Sequence, residues 1–367
     1  MTDDLGQYAF ANVPTGSDYT VTPTKDDDPL NGVSTYDLVL ISKHILGLEP
    51  LGSPYKMIAA DANKSGSITT FDIVEVRKLI LGIYTEFPAN TSWRFVDKDY
   101  VFPTPSNPFA AQFPETISAS GVQVPQVEDF VAVKTGDVNG TAVPNSLLSS
   151  DDRTAGTLLF DVDDRQVKAG EEFEVSFRAA DKSLGFQMTV ALAGLEVADI
   201  VETDKVRASN FGVFNKEGAL TASVDGDVAE FSVRFRAAKS GMLSEMLGVS
   251  SRITRAEAYS LSGERQGVAF RFNSGGASTV SGVGFELYQN QPNPFVNKTL
   301  IGFHLPEAAQ ATLTVFDESG RVLFTQKGDF AKGHNAVQVD RALLNTTGAM
   351  YYKLETATDA ATKMMIQ

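Results

Sequence analysis

Cysteine is absent from this 367-residue chain, so no disulfide ties its parts together and no thiol chemistry is available. Histidine occurs 3 times, as His44, His304 and His334, and no His-Glu-x-x-His spacing joins them. A zinc-protease helix and a Ser-His-Asp triad are therefore without support. Trp93 is the single tryptophan, too few for a flat sugar-binding strip, and it reads as a core residue. No apolar run reaches the ~18 residues of a membrane span. Positive charge is in short supply, with 31 Lys and Arg against 46 Asp and Glu, a net −15. Such a surface repels phosphate backbones and anionic lipid, so nucleic acid is not an expected partner. It suits bound cations and an extracellular life. No Gly-rich phosphate loop and no Gly-x-Ser-x-Gly occurs. The acidic pairs Asp3-Asp4, Asp151-Asp152 and Asp163-Asp164 lack an accompanying apolar pocket and read as solvated loops. Met1-Thr-Asp-Asp-Leu shows neither the basic nor the apolar region of a signal peptide, so an exported chain would be a trimmed piece of something larger. Without disulfides, metal ions are the expected cross-links.

What is present is a duplicated loop-helix unit. Residues 61 to 72 read Asp61-Ala-Asn63-Lys-Ser65-Gly66-Ser67-Ile68-Thr69-Thr-Phe-Asp72 and run into an apolar-periodic stretch ending at Ile83. Oxygen side chains stand at loop positions 1, 3, 5, 9 and 12. Gly66 occupies the sharp turn at position 6, and Ser67 can offer its carbonyl at 7. A hard dication such as calcium needs that cage. The competing reading is an Asp- and Asn-rich turn with Thr70 or Asp72 capping the helix. Ser34 to Leu48 matches Thr69 to Ile83 at a constant offset, 72 − 37 = 35. Leu38, Ile41, Ile45 and Leu48 form one stripe and Ile73, Val76, Ile80 and Ile83 the other, so the two helices are expected to face each other.

Either side of this unit the pattern is β. Residues 6–21 alternate around a Pro14–Gly16 turn and predict a hairpin, the end of an otherwise missing small repeat over residues 1–25. Residues 86–145, with Trp93–Phe102 as a strand, are expected to wrap the helices, closing a module of residues 26–150. From Thr157, period-two runs such as Phe173-Glu-Val175-Ser-Phe177 and Phe231-Ser-Val233-Arg-Phe235 predict an antiparallel sandwich over 155–273. Ser274-Gly-Gly276-Ala-Ser278 then reads as a linker, 274–283. Residues 284–367 predict a second, smaller sandwich. The fold class is thus mainly β and multidomain, with one small helical module.

The duplicated unit resembles a dockerin, the module that plugs enzymes into scaffold proteins. The resemblance carries calcium ligation onto Asp61, Asn63, Ser65, Ser67, Thr69 and Asp72, with Asp at position 12 instead of the usual Glu. In the first copy, Asp26, Asp28 and Asp37 fall at positions 1, 3 and 12, but Leu30 and Asn31 stand at 5 and 6, as if one residue were deleted. Gly136-Asp137-Val-Asn139-Gly140 resembles a loop opening without its helix, and the expectation is that Asp137 and Asn139 complete a second calcium site with Asp26, Asp28 and Asp37. Dockerins commonly grip their partner through a hydroxyl pair at positions 10 and 11. Here Thr35-Tyr36 and Thr70-Phe71 stand there, and the aromatics read as core or helix-entry packing. Val167-Lys-Ala-Gly170 to Val175 and Leu184 to Val190 resemble the opening strands of a cohesin or related carbohydrate-binding module.

Leu287-Tyr-Gln289-Asn290-Gln-Pro292-Asn293-Pro294-Phe295, Leu313-Thr-Val315-Phe-Asp317, Gly320-Arg321-Val322 and Gly348-Ala-Met350-Tyr351-Tyr resemble the type A sorting domain of type IX secretion. Met350 is one residue more than that pattern has. The resemblance implies a partner, the outer-membrane translocon, acting on residues 284–367, and a secreted, cell-surface location. Together these features describe the non-catalytic C-terminal part of a large adhesin or scaffold. One alternative is the accessory region of a secreted hydrolase whose catalytic domain lies upstream. Another is a filament subunit that self-associates, or binds another surface protein, through an unpaired hairpin edge and the dockerin-like face.

Overall fold

The computed structural model describes residues 2, 6–11, 13–124, 126–143, 156–344 and 348–366. Asp3-Asp4 and Asp151-Asp152 lie outside the described residues. The chain divides into two compact units, residues 1–148 and 149–367, and it is mainly β with few helices. Both β segments predicted after residue 155 fall in the second unit.

The first unit runs β1 (Tyr19–Val21), α1 (Thr35–Ile45), α2 (Pro54–Ala60), α3 (Thr70–Ile80), β2 (Trp93–Asp97), β3 (Ile117–Ala119) and β4 (Phe130–Lys134). Helices α1 and α3 are the duplicated pair. Each closes with a Schellman turn: Leu48 N donates to Lys43 O at 2.9 Å and Ile83 N to Lys78 O at 2.9 Å. That geometry requires a left-handed residue, supplied by Gly47 at φ 69° and Gly82 at φ 72°. Leu38 and Ile41 of α1 share a buried core with Ile73, Val76 and Ile80 of α3, and Val96, Phe102, Phe113 and Val133 join it. The segment after the helices thus contributes side chains to their core. Strand β2 pairs antiparallel with β4, Trp93 opposite Lys134, and Trp93 is buried. The strand stops at Asp97, short of Phe102, because the Asp97 carboxylate accepts from Asp99 N at 2.9 Å and its carbonyl accepts from Tyr100 N at 3.1 Å. Helix α2 was not anticipated. Its seven residues are too few for periodicity, although Pro54 at its first position is a local start signal.

The N-terminal hairpin is corrected by the structure. Strand β1 pairs with β3, Tyr19 opposite Ala119 and Val21 opposite Ile117. Gly16 N donates to Val122 O at 2.7 Å, Gly121 N to Asp18 Oδ1 at 2.8 Å, and the Tyr8 hydroxyl to the Glu128 carbonyl. Neither Tyr19–Val21 nor Ile117–Ala119 joins the buried core, so this pairing is itself a short two-stranded ribbon, supported by the added Gly16, Asp18 and Tyr8 bonds. Among the described residues, the free hairpin on which the filament expectation partly rested is not formed.

The second unit begins with β5 (Thr157–Asp163), β6 (Gln166–Val167), β7 (Glu172–Ala179), β8 (Gly185–Leu192), β9 (Leu195–Val201), β10 (Phe211–Phe214), β11 (Ala219–Asp225) and β12 (Glu230–Ala237). It continues with β13 (Gly241–Met242), β14 (Leu247–Ser250), β15 (Glu257–Tyr259), β16 (Arg265–Ser274) and β17 (Ala277–Gly282). The hydrogen-bonded order is β10-β11-β8-β15-β16-β5-β7-β12-β9, and β14 adds to β8. Alternating Phe173, Val175 and Phe177 of β7 and Phe231, Val233 and Phe235 of β12 point into one core. Phe177 stacks on Phe231 at 4.7 Å between centroids. Antiparallel pairing was predicted throughout, yet β5 and β16 run parallel, Gly267 opposite Thr157 and Asn273 opposite Asp163. Alternation fixes which face a residue takes and leaves strand direction open. The predicted linker is also corrected. Gly275 at φ 55° and Gly276 at φ 94° form the two-residue turn of a hairpin in which Ser274 faces Ala277, a connection that needs positive φ at both positions.

The last strands are β18 (Glu286–Leu287), β19 (Lys298–Leu305), β20 (Ala309–Asp317), β21 (Val322–Phe330), β22 (Gly333–Asp340), β23 (Ala349–Glu355) and β24 (Ala360–Ile366). They make a sheet of order β18-β19-β22 and another of order β21-β20-β23-β24, which share a core of Ile301, Phe303, Leu313, Val315, Tyr352 and Leu354. Met350 is fully buried in it, which gives that extra residue its place.

Candidate metal centre

The loop between α2 and α3 is shaped by its own backbone. Asp61 Oδ1 accepts from Ser65 N at 2.8 Å and Oδ2 from Gly66 N at 2.9 Å. Asn63 Oδ1 accepts from Ser65 N at 3.0 Å. Ser65 Oγ donates to the Ser67 carbonyl at 3.2 Å, so positions 5 and 7 present their oxygens together. Asp72 Oδ1 accepts from Asn63 N at 3.2 Å, and Oδ2 from Thr69 N at 2.8 Å and Thr69 Oγ1 at 3.2 Å. Gly66 takes φ 77°, as the turn demands. Asp61 and Asp72 are buried. Burial raises the Asp61 carboxyl above its usual range, two backbone amides oppose that, and the Asp72 charge adds to the rise. Thr69 proves to be the helix N-cap, its Oγ1 accepting from Phe71 N at 3.2 Å. Its hydroxyl is thereby committed to the helix and to Asp72, and Thr70 and Asp72 are not the cap.

A second constellation has the same bonding pattern with its halves far apart in sequence. Asp137 Oδ1 accepts from Gly140 N at 2.7 Å and Thr141 N at 3.1 Å, and Oδ2 from Ala142 N at 2.7 Å. Asn139 Oδ1 accepts from Thr141 N at 3.1 Å. The closing carboxylate comes from α1: Asp37 Oδ1 accepts from Val138 N at 2.9 Å and Asn139 N at 3.1 Å. Its Oδ2 accepts from Ser34 N at 2.9 Å and Ser34 Oγ at 3.0 Å. Asp137, Asn139 and Thr141 thus stand where Asp61, Asn63 and Ser65 stand, and Ser34 and Asp37 where Thr69 and Asp72 stand. Asp37 is fully buried, and burial, with the Asp137 charge behind it, pushes its carboxyl up to about 7.

The structure brings Asp37, Asp137 and Asn139 together as predicted and places Asp26 and Asp28 elsewhere. Asp26 Oδ1 accepts from Ser92 N at 2.7 Å. Asp28 is exposed at φ 45°, and its carbonyl accepts from Asn31 N at 3.0 Å. Leu30 has no side-chain oxygen for position 5, its carbonyl accepts from Val33 N at 3.1 Å, and Asn31 is engaged with Val143, so residues 26–31 do not form a cage. Thr141 was missed, although its two-residue step beyond Asn139 continues the alternation begun at Asp137. The buried Lys134 ammonium, lowered to about 8 by burial, donates to Pro29 O at 2.7 Å and Thr135 O at 3.0 Å.

Among the described residues no group of three or more His, Cys, Asp or Glu side chains is gathered. Each loop brings two carboxylates, and amide, hydroxyl and carbonyl oxygens make up the rest. That oxygen-only donor set fits a hard cation and offers nothing to a soft one. Of the position-11 aromatics, Tyr36 is half-buried, but Phe71 is 71% exposed beside Val74 at 37%, which overturns its expected packing role.

Other candidate features have structural partners. His44 Nδ1 accepts from Leu51 N at 3.4 Å, His304 Nδ1 bonds Gly284 O at 2.9 Å, and His334 stacks on Tyr288 at 5.6 Å. The Gln289–Phe295 segment is held from within. Tyr352 Oη donates to Tyr288 O at 2.8 Å and accepts from Asn290 N at 2.9 Å. Asn290 Nδ2 donates to Thr299 Oγ1 at 2.9 Å, Asn293 Oδ1 accepts from Ile366 N at 2.9 Å, and Phe295 is buried.

No family model matches the chain, and no curated protein matches it. Solved structures to which it is similar include a chain of the Coh-OlpA–Doc918 type I cohesin–dockerin complex from Clostridium thermocellum. That match has 8% identity over 35% of this chain and 99% of that one, with a TM-score of 0.24. The seventh ScaB type I cohesin from Pseudobacteroides cellulosolvens shows 11% identity over 35% of this chain and 93% of that one, TM-score 0.22. Dimeric latent PorU from Porphyromonas gingivalis shows 10% identity over 68% of this chain and only 22% of that one, TM-score 0.22. Likenesses at these scores carry no argument about function.

Proposed function

We propose that this chain is the non-catalytic C-terminal part of a secreted cell-surface protein, braced by calcium in a dockerin-like first unit. Residues 155–273 then serve as a cohesin-like sandwich, and residues 284–367 as the sandwich that a type IX translocon recognises. The observation that carries the reading is the repeated cage. Two loops unrelated in chain continuity arrange aspartate, asparagine and hydroxyl side chains through the same backbone bonds, each closed by an aspartate at the third position of a helix. Asp61, Asn63, Ser65, Ser67 O and Asp72 would hold one ion, and Asp137, Asn139, Thr141 and Asp37 the other. A resident calcium supplies positive charge between paired carboxylates that would otherwise repel. Its work is structural, and the residues around it act by orienting one another.

Calorimetric melting tests this. At calcium 100 times its Kd, each bound ion should stabilise the fold by about 2.7 kcal/mol relative to chelator. Asp61→Ala with Asp72→Ala should lower the melting temperature in calcium and narrow the difference between calcium and chelator. Equal melting of the unaltered chain in both conditions would overturn the reading.

A further inference from the structure

The two halves of the second cage lie 137 − 37 = 100 positions apart, and they are tied by bonds that need no ion. Asn31 Nδ2 donates to Val143 O at 2.7 Å, Val143 N returns a bond to Asn31 Oδ1 at 3.0 Å, and Thr141 Oγ1 donates to Gly32 O at 3.0 Å. The strands of chain meet so closely that a Cβ on Gly32, at φ 76°, would lie 2.5 Å from Ala142 N. Residues 38–136, with all of α2, α3, β2, β3 and β4, are enclosed between the tied points. The loop at 61–72 encloses only its own turn.

We infer that the split cage is a tension clasp: with a divalent cation bound, and once the short β1–β3 pairing has parted, force drawn along the chain crosses from residues 31–37 to residues 137–143, leaving the enclosed helices and strands slack. This rests on the calcium reading above and extends it to a mechanical role. An external pull loads whichever connection between entry and exit is shortest; the three-residue β1–β3 pairing and the Asp26–Ser92 bond meet it first, and once these part that connection is the cage. Closing a loop of this length is also where a cross-link removes most chain entropy from the unfolded state, and a chain without cysteine has no disulfide to do so.

The test holds the full chain by its two ends in optical tweezers at constant force, with calcium and then with chelator, alongside calorimetric counting of bound calcium. In calcium the enclosed stretch should appear as one step of about 33–36 nm, from ~100 residues at ~3.3–3.6 Å each. At calcium 100 times Kd, the closed state should be favoured about 100-fold over its balance in chelator. Asp137→Asn in calcium should reproduce the chelator trace, the milder Thr141→Val should move it the same way, and Asp61→Asn should leave the step in place. A step unchanged by chelation in a chain that binds two calcium ions would overturn the clasp. So would Asp61→Asn and Asp137→Asn acting alike. One bound ion, lost in Asp61→Asn and kept in Asp137→Asn, would sink the clasp and keep the calcium loop. No bound calcium would sink both.

Discussion

Tyr352→Phe removes a single oxygen from the C-terminal core and leaves the ring in place. That oxygen donates to Tyr288 O at 2.8 Å and accepts from Asn290 N at 2.9 Å. Tyr352 and Asn290 are buried, so water cannot take over either bond. Burial lifts the phenol to about 12, and the hydroxyl remains a donor at any pH where the fold is studied. A buried backbone group left unpaired costs ~1–3 kcal/mol, and two such groups give a loss of about 3 kcal/mol. In a unit the size of residues 149–367, each kcal/mol is worth ~2–4 °C, so the melting transition should fall by ~6–12 °C. Tyr351→Phe is the matched control. Its ring stacks on Phe316 at 5.9 Å on the half-buried side of β23, and its effect should stay within ~0.5 kcal/mol. Scanning calorimetry of the three proteins decides the matter. A loss for Tyr352→Phe no larger than that for Tyr351→Phe would refute the idea that this hydroxyl fastens the Asn290 segment to the sheets.

Further outcomes are expected. Burial first, then the charges of Arg255, His304 and Arg265, holds His334 well below its usual pKa, so the folded state keeps it neutral. Its contribution is complete above the unfolded value of ~6.5 and is lost as pH falls through it, at no more than ~1.4 kcal/mol per pH unit. The melting temperature of His334→Gln should accordingly fall less between pH 7 and pH 5 than that of the unaltered chain, and equal slopes would count against the burial argument. A reporter carrying residues 284–367 should be exported by a bacterium with a type IX translocon; its retention in the cell would remove the addressing role.

The loop at 61–72 was legible because the side chains that accept its backbone amides all lie within those twelve residues. The stripes of α1 and α3 and the phenylalanine alternation of β7 and β12 were legible for the same reason, since periodicity is a local property. Phe71 was legible too, because it lies off the stripe of Ile73, Val76 and Ile80, yet residue type outweighed position in the expectation. What stayed hidden depends on tertiary closure. Nothing near Tyr19 encodes that Ala119 is its partner, and alternation around Pro14 suits a local partner and a distant one equally well. Asp26 and Asp28 fitted the repeat offset, but Leu30 and Asn31 broke the loop. The residues that replaced it, Asp137 to Ala142, sit where only the folded chain returns to α1. The double glycine at 275–276 was ambiguous in kind, for the freedom that makes a linker also permits the tightest hairpin.

The split cage also sets how this unit can be inherited. A segment of residues 26–85 contains both matching helices and reads as a complete cassette. Moved alone into another gene, it would leave the Asp37 carboxylate without the amides of Val138 and Asn139 and the helical core without Val96, Phe102, Phe113 and Val133. The smallest stretch that holds both cages whole is 31–143, so recombination that respects the fold must exchange the helices and their wrapping together.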